Sequence, residues 1–111
     1  NGLTVDPETF IAIAEKVVEE NFQNVNFNAN VFAEILNISQ STLFRKIKKQ
    51  TSLSCTEFIR DVKLKRATHL LTHSSMNIDE IALSVGFNST SYFVRTFKRK
   101  YKTTPSEYRK G

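Results

Sequence analysis

One feature constrains this chain more than any other: a loose internal repeat, in which a short helix signal, a tight turn and a basic helix occur twice. Asn28-Ala29-Asn30-Val31-Phe32-Ala33-Glu34-Ile35-Leu36-Asn37-Ile38 aligns with Asn77-Ile78-Asp79-Glu80-Ile81-Ala82-Leu83-Ser84-Val85-Gly86-Phe87 at an offset of 49. Past the turn, Leu43, Ile47 and Lys48 fall on Phe93, Phe97 and Lys98 at an offset of 50. Apolar residues recur at helical spacing and no stretch alternates with period two, so the chain is expected to be all-α.

Several starts carry explicit caps. Asp6 before Pro7 opens a helix along which Phe10, Ala14, Val17, Val18 and Phe22 form one apolar stripe. Asn28 and Ser39 cap the two helices of the first repeat, and Ser54 with Glu57 makes a capping box for a long helix ending near His73. That helix has two apolar stripes, Phe58, Ile59, Val62 and Leu70 on one and Leu64, Ala67 and Leu71 on the other, as a linker serving both repeats requires. Asn77 with Glu80, Ser89, and Thr104-Pro105-Ser106-Glu107 open the remaining helices. The expected organisation is a first helix and first helix-turn-helix over residues 1–53, a linker helix over 54–73 and a second helix-turn-helix over 74–111.

Each helix-turn-helix needs a small residue where its helices face, a turn tolerant of unusual backbone angles, and apolar contacts that set the interhelical angle. Ala33 and Ala82 are the small residues, and Asn37 and Gly86 make the turns. Leu36, Ile38, Leu43 and Ile47 form the first clamp; Val85, Phe87, Phe93 and Phe97 form the second. With these inside, Gln40, Ser41, Phe44, Arg45 and Lys48 point outward from the first basic helix, and Thr90, Ser91, Val94, Arg95 and Lys98 from the second.

The outward residues suit DNA. Ser and Thr bond several base edges, Gln suits adenine, Arg suits guanine, and Val or Phe can touch a thymine methyl. The base-reading candidates are therefore Gln40, Ser41, Phe44, Arg45, Thr90, Ser91, Val94 and Arg95, with Phe44 open also to packing at the subdomain edge. Candidates for phosphates, which position without carrying sequence information, are Ser39, Thr42, Lys46, Lys48, Lys49, Ser89, Tyr92, Lys98 and Arg99. Duplex RNA would exclude a helix from its deep, narrow groove, so DNA is the expected polymer.

Charge agrees with that reading. Residues 1–27 hold five acids against Lys16, a balance of −4, while the repeated part holds 15 basic against six acidic residues, a balance of +9. The basic residues concentrate at 45–49, 60–66 and 95–102, the pattern of a phosphate footprint. The rival reading is a helical protein-interaction module whose basic surface binds an acidic protein without sequence-specific DNA binding.

Catalytic and metal chemistry find no support. The serines at helix starts have no histidine base beside them, and capping already accounts for their hydroxyls. His69 and His73 have metal-compatible spacing but lack a further ligand and the glutamate of a zinc protease, so neither metal nor cofactor is expected. The single Cys55 excludes an internal disulfide and a cysteine-based zinc site. No apolar run approaches the ~20 residues of a membrane span.

The ordered set Ile81-Ala82, Val85-Gly86-Phe87, Ser91-Tyr92-Phe93-Val94-Arg95-Thr96-Phe97-Lys98 and Thr104-Pro105-Ser106-Glu107-Tyr108-Arg109 resembles the C-terminal DNA-binding domain of AraC/XylS-type bacterial transcription regulators. Upstream, Ser39-Gln40-Ser41-Thr42-Leu43-Phe44-Arg45-Lys46-Ile47-Lys48, Phe58-Ile59-Arg60 and Leu64-Lys65-Arg66-Ala67 extend the resemblance to roughly residues 8–110. It implies about seven helices, two helix-turn-helix subdomains joined by a long helix, and recognition helices in successive major grooves, which recur every ~34 Å. Asn37, Ser52 and Lys102 stand where the family often has glycine. The resemblance further implies a double-stranded DNA operator, contact with RNA polymerase, an upstream sensor or receiver domain, and a place in the bacterial cytoplasm at the nucleoid. The start at Asn1-Gly2-Leu3, without methionine or signal-peptide pattern, fits a segment of a longer regulator.

Overall fold

Capping chemistry sets where each helix begins. In the computed structural model, which describes residues 6–111, the described residues form seven helices and no strand: α1 (Pro7–Glu20), α2 (Ala29–Leu36), α3 (Gln40–Thr51), α4 (Cys55–His73), α5 (Ile78–Ser84), α6 (Thr90–Tyr101) and α7 (Pro105–Lys110). The side chains of Asp6, Asn28, Ser39, Asn77, Ser89 and Thr104 each accept a hydrogen bond from the backbone N–H three residues on. Each such cap is worth about 1 kcal/mol. Capping boxes form at Asn77/Glu80 and Thr104/Glu107, and at Ser54/Glu57 the backbone N–H of Ser54 donates to Glu57 Oε1 at 2.9 Å.

Helix ends are equally specific. Asn37, Ser52 and Lys102 terminate α2, α3 and α6 with φ of 61°, 66° and 65°. All three adopt the left-handed conformation glycine would take most easily, at a cost of about 1 kcal/mol each for Ser52 and Lys102. Gly86 supplies φ 92° in the second turn, where Phe87 N–H returns to the Ala82 carbonyl at 2.9 Å.

The chain divides into two compact units, Asn1–Val62 and Lys63–Gly111, with the boundary inside α4. The first core joins Phe10, Ala14, Val17 and Val18 of α1, Phe32, Ala33 and Leu36 of α2, Leu43 and Ile47 of α3, and Cys55, Phe58 and Val62 of α4. Phe22, Ile38 and Ile59 pack on it half-buried. The buried apolar residues of the second unit are Leu64, Ala67 and Leu71 of α4, Ile81 and Ala82 of α5, Val85, Phe87, Phe93 and Phe97 of α6, and Pro105 of α7. The apolar stripes of α4 are thus divided along its length: Phe58 and Val62 serve the first core, whereas Leu70, expected beside them, lies half-buried in the second unit. Arg109 of α7 fastens the end of α4, donating from Nε to the Leu71 carbonyl at 2.9 Å and from Nη2 to Ser74 O at 3.2 Å.

The caps also make stability depend on acid. Hydrogen bonds from the backbone of Thr9, Ser54 and Thr104 hold Asp6, Glu57 and Glu107 below their ordinary values of 3.8, 4.5 and 4.5. A carboxylate depressed in the folded state contributes stability that is complete above its unfolded pKa and is lost as pH falls through the folded one. The thermal midpoint is therefore expected to hold steady from about pH 7 to 5 and to fall below about pH 4.5. Glu57→Gln/Glu107→Gln, followed by circular dichroism melts, should flatten that acid limb; an unchanged limb would count against the assignment.

Candidate nucleic-acid interface

Burial of one face of α3 determines the other. Leu43 and Ile47 are fully enclosed, which turns Gln40, Ser41, Phe44, Arg45, Lys48 and Lys49 to the exterior. Ser39 is occupied as the cap and donates from its hydroxyl to Thr42 Oγ1 at 2.9 Å. Phe44 is 43% exposed and, with Arg45, Lys48 and Cys55, lines an open groove of about 520 Å³ bounded by α3, the start of α4 and Ala29 at the start of α2. Its ring is therefore presented outward among cations. Lys46 lies otherwise: it is half-buried, with Nζ 5.3 Å from the centre of the Phe10 ring on α1, so its cationic head is shared with an aromatic face.

The second unit repeats the arrangement with aromatic residues. Phe93 and Phe97 are fully buried and Thr96 nearly so. Ser91, Tyr92, Arg95, Lys98 and Arg99 are exposed, while Thr90 and Val94 are half-exposed. Tyr92, predicted for a phosphate, packs its ring on Phe87 at 5.6 Å and carries the Arg95 guanidinium 5.8 Å above it. Such stacking restricts Arg95 before any ligand arrives. Ser89 is occupied as the cap of α6.

Three further groups shape these helices, and their roles are invisible to spacing alone. Asn30 accepts from Gln40 Nε2 at 3.2 Å, and Asp79 accepts from Thr90 Oγ1 at 2.7 Å, each tying a recognition helix to the one before it. Lys63 is half-buried, donates to the Gly86 carbonyl at 3.3 Å and sits 5.6 Å from the Phe87 ring centre, so it braces the second turn. Burial pushes its ammonium pKa down. Interhelical partners of this kind depend on the crossing angle, and the sequence marks them by the recurrence of Asn30 and Asp79 at the repeat offset.

His69 and His73 stack with ring centres 4.4 Å apart, and His73 Nδ1 lies 2.8 Å from Thr72 Oγ1. Among the described residues no cluster of three or more His, Cys, Asp or Glu forms a metal site. Cys55 is buried and its thiol pKa raised by that burial, which disfavours a reactive thiolate. No described helix is long and apolar enough to cross a membrane.

Comparison with known proteins places the chain among helix-turn-helix domains. A family described as "Helix-turn-helix domain" matches residues 32–111. "Histidine kinase P4" of Formosa agariphila is 42% identical over 101 residues, covering 91% of this chain and 7% of that protein. "Transcriptional activator PerA" of Escherichia coli O127:H6 is 36% identical over 98 residues, covering 88% of this chain and 34% of that protein. A crystal structure of a transcriptional regulator from Chromobacterium violaceum, described as containing an AraC-type DNA-binding domain, superposes with a TM-score of 0.82 at 25% identity, covering 92% of this chain and 90% of that one. The chain thus spans 7% and 34% of the length of these two curated relatives.

Proposed function

We propose that this chain, which belongs to the AraC/XylS-type helix-turn-helix family of DNA-binding domains, is the DNA-reading output of a longer bacterial transcription regulator. The observation that carries the reading is the two-faced build of α3 and α6. Each locks apolar residues into its own core and turns a polar, cationic set outward at equivalent positions. In this reading α3 and α6 enter successive major grooves of one duplex. Gln40, Ser41, Phe44, Arg45, Thr90, Ser91, Val94 and Arg95 meet base edges; Ser39, Thr42, Lys48, Lys49, Ser89, Tyr92, Lys98 and Arg99 meet phosphates, whereas Lys46, also a phosphate candidate by sequence, has its head on the Phe10 ring. Asymmetry of the two sets implies one asymmetric site per domain.

The kinase and activator relatives support placing a sensor or receiver domain upstream in the same protein, with RNA polymerase as the downstream partner in the cytoplasm. Helix-turn-helix families of this kind are not an enzyme class.

Salt dependence tests the reading. Four cations, Lys48, Lys49, Lys98 and Arg99, predict a slope of log K against log salt of about −3 to −4, so raising salt from 50 to 200 mM should weaken binding roughly a hundredfold. A selected duplex should outcompete its scrambled version throughout, whereas a basic protein-interaction module would lose affinity with salt and treat both duplexes alike.

A further inference from the structure

In both units the first residue of the recognition helix is hydrogen-bonded to the second residue of the helix before it. Gln40 meets Asn30 and Thr90 meets Asp79, and the two pairs are equivalent under the repeat. Their chemistry differs. An amide pair such as Gln40–Asn30 can run in either direction, because each partner both donates and accepts. An ionised carboxylate only accepts, so at 2.7 Å the Thr90 hydroxyl must donate its single hydrogen to Asp79.

That commitment leaves the Thr90 oxygen with acceptor capacity alone. In the major groove adenine N6 and cytosine N4 carry amino hydrogens, whereas guanine O6 and thymine O4 only accept. We propose that Asp79 is a specificity-determining positioning residue: by taking the Thr90 hydrogen it makes Thr90 a reader of amino-bearing bases, favouring adenine over guanine or cytosine over thymine at one base pair. The inference rests on the reading that Thr90 faces base edges. It applies to the second unit alone, since the amide pair in the first unit imposes no direction. A carboxylate near a phosphate backbone also weakens binding to every sequence; Asp79 thus trades general affinity for discrimination.

Selection of sites from random duplex DNA, followed by competition titrations at each position, separates these effects. Wild type should show about a tenfold preference for the amino-bearing base at one position, as one well-placed hydrogen bond allows. Thr90→Val should abolish that preference and Thr90→Ser keep it, which identifies the position. Asp79→Asn lets the bond run in either direction, with the amide donating to Thr90 and the hydroxyl hydrogen turning to the base, so the preference there should fall to about twofold or reverse towards the keto-bearing base, with other positions unchanged. Three results would overturn the proposal: a keto base preferred by wild type at the Thr90 position, a preference untouched by Asp79→Asn, or a uniform rise in affinity for all sequences as the sole effect of that change. Failure to enrich any motif with wild type would instead bring down the DNA-reading assignment itself, and this inference with it.

Discussion

Replacing Phe97 by alanine is expected to cost about 3–5 kcal/mol of stability. Against the roughly 5–15 kcal/mol that holds a domain of this size together, such a loss is decisive. Phe97 is fully buried, with its ring centre 5.8 Å from Phe93, 4.7 Å from Tyr101 and 5.5 Å from Tyr108, the first and last in edge-on arrangements. Removal deletes a large apolar surface from water-free packing and leaves a cavity among aromatic rings too stiff to collapse into it. Because Phe97 shares α6 with Arg95, DNA binding should fail along with folding. Val94→Ala, on the half-exposed side of the same helix, should cost less than about 1 kcal/mol. Urea titration of both variants, monitored by circular dichroism, checks the contrast; comparable losses would mean that the inner and outer faces of α6 are wrongly assigned.

Arg45→Ala and Arg95→Ala are expected to relax preference at particular base pairs by about 1–3 kcal/mol each, and Lys48→Ala and Lys98→Ala to weaken binding on all sequences alike. The distinction is geometric. A guanidinium presents a planar fork that matches the O6 and N7 of guanine, whereas an ammonium is a mobile point charge that any phosphate satisfies. Arg95 is held over the Tyr92 ring, so less rotamer freedom remains to be lost on binding. The Arg95 loss should accordingly be at least as large as the Arg45 loss. Titrations of each variant against the selected site and its single-base changes read this directly. Uniform losses from all four changes would contradict the assigned roles.

The helices were legible because their starts are written in local chemistry. Asp6, Ser39, Asn77 and Thr104 satisfy backbone N–H groups within their own first turn, and no distant residue is needed to see it. The clamps were legible for a similar reason: once Leu43 and Ile47, or Phe93 and Phe97, point inward, helical periodicity fixes what points out. What escaped depends on how helices cross. Lys46 falls within the basic run at 45–49, yet its head turns to Phe10, nearly forty positions away in sequence. The ties from Gln40 to Asn30 and from Thr90 to Asp79 depend on the interhelical angle, as does the brace from Lys63 to Gly86. Asp79 would otherwise pass for one more acid in a helix's first turn, where the macrodipole favours it.

The left-handed ends teach a complementary point. Ser52 and Lys102 hold a glycine-favoured conformation without being glycine, and the following helix start is close behind each. Local strain of about 1 kcal/mol is tolerated there because the chain must turn at that residue for the next capped helix to begin.

Site selection from random duplex DNA with the wild-type chain asks whether α3 and α6 read one duplex together. One enriched, asymmetric motif is expected, with two unlike elements about 10 base pairs apart, bound in one orientation by a single chain. Recovery of no motif, or of a palindrome bound only by two copies of the chain, would contradict it.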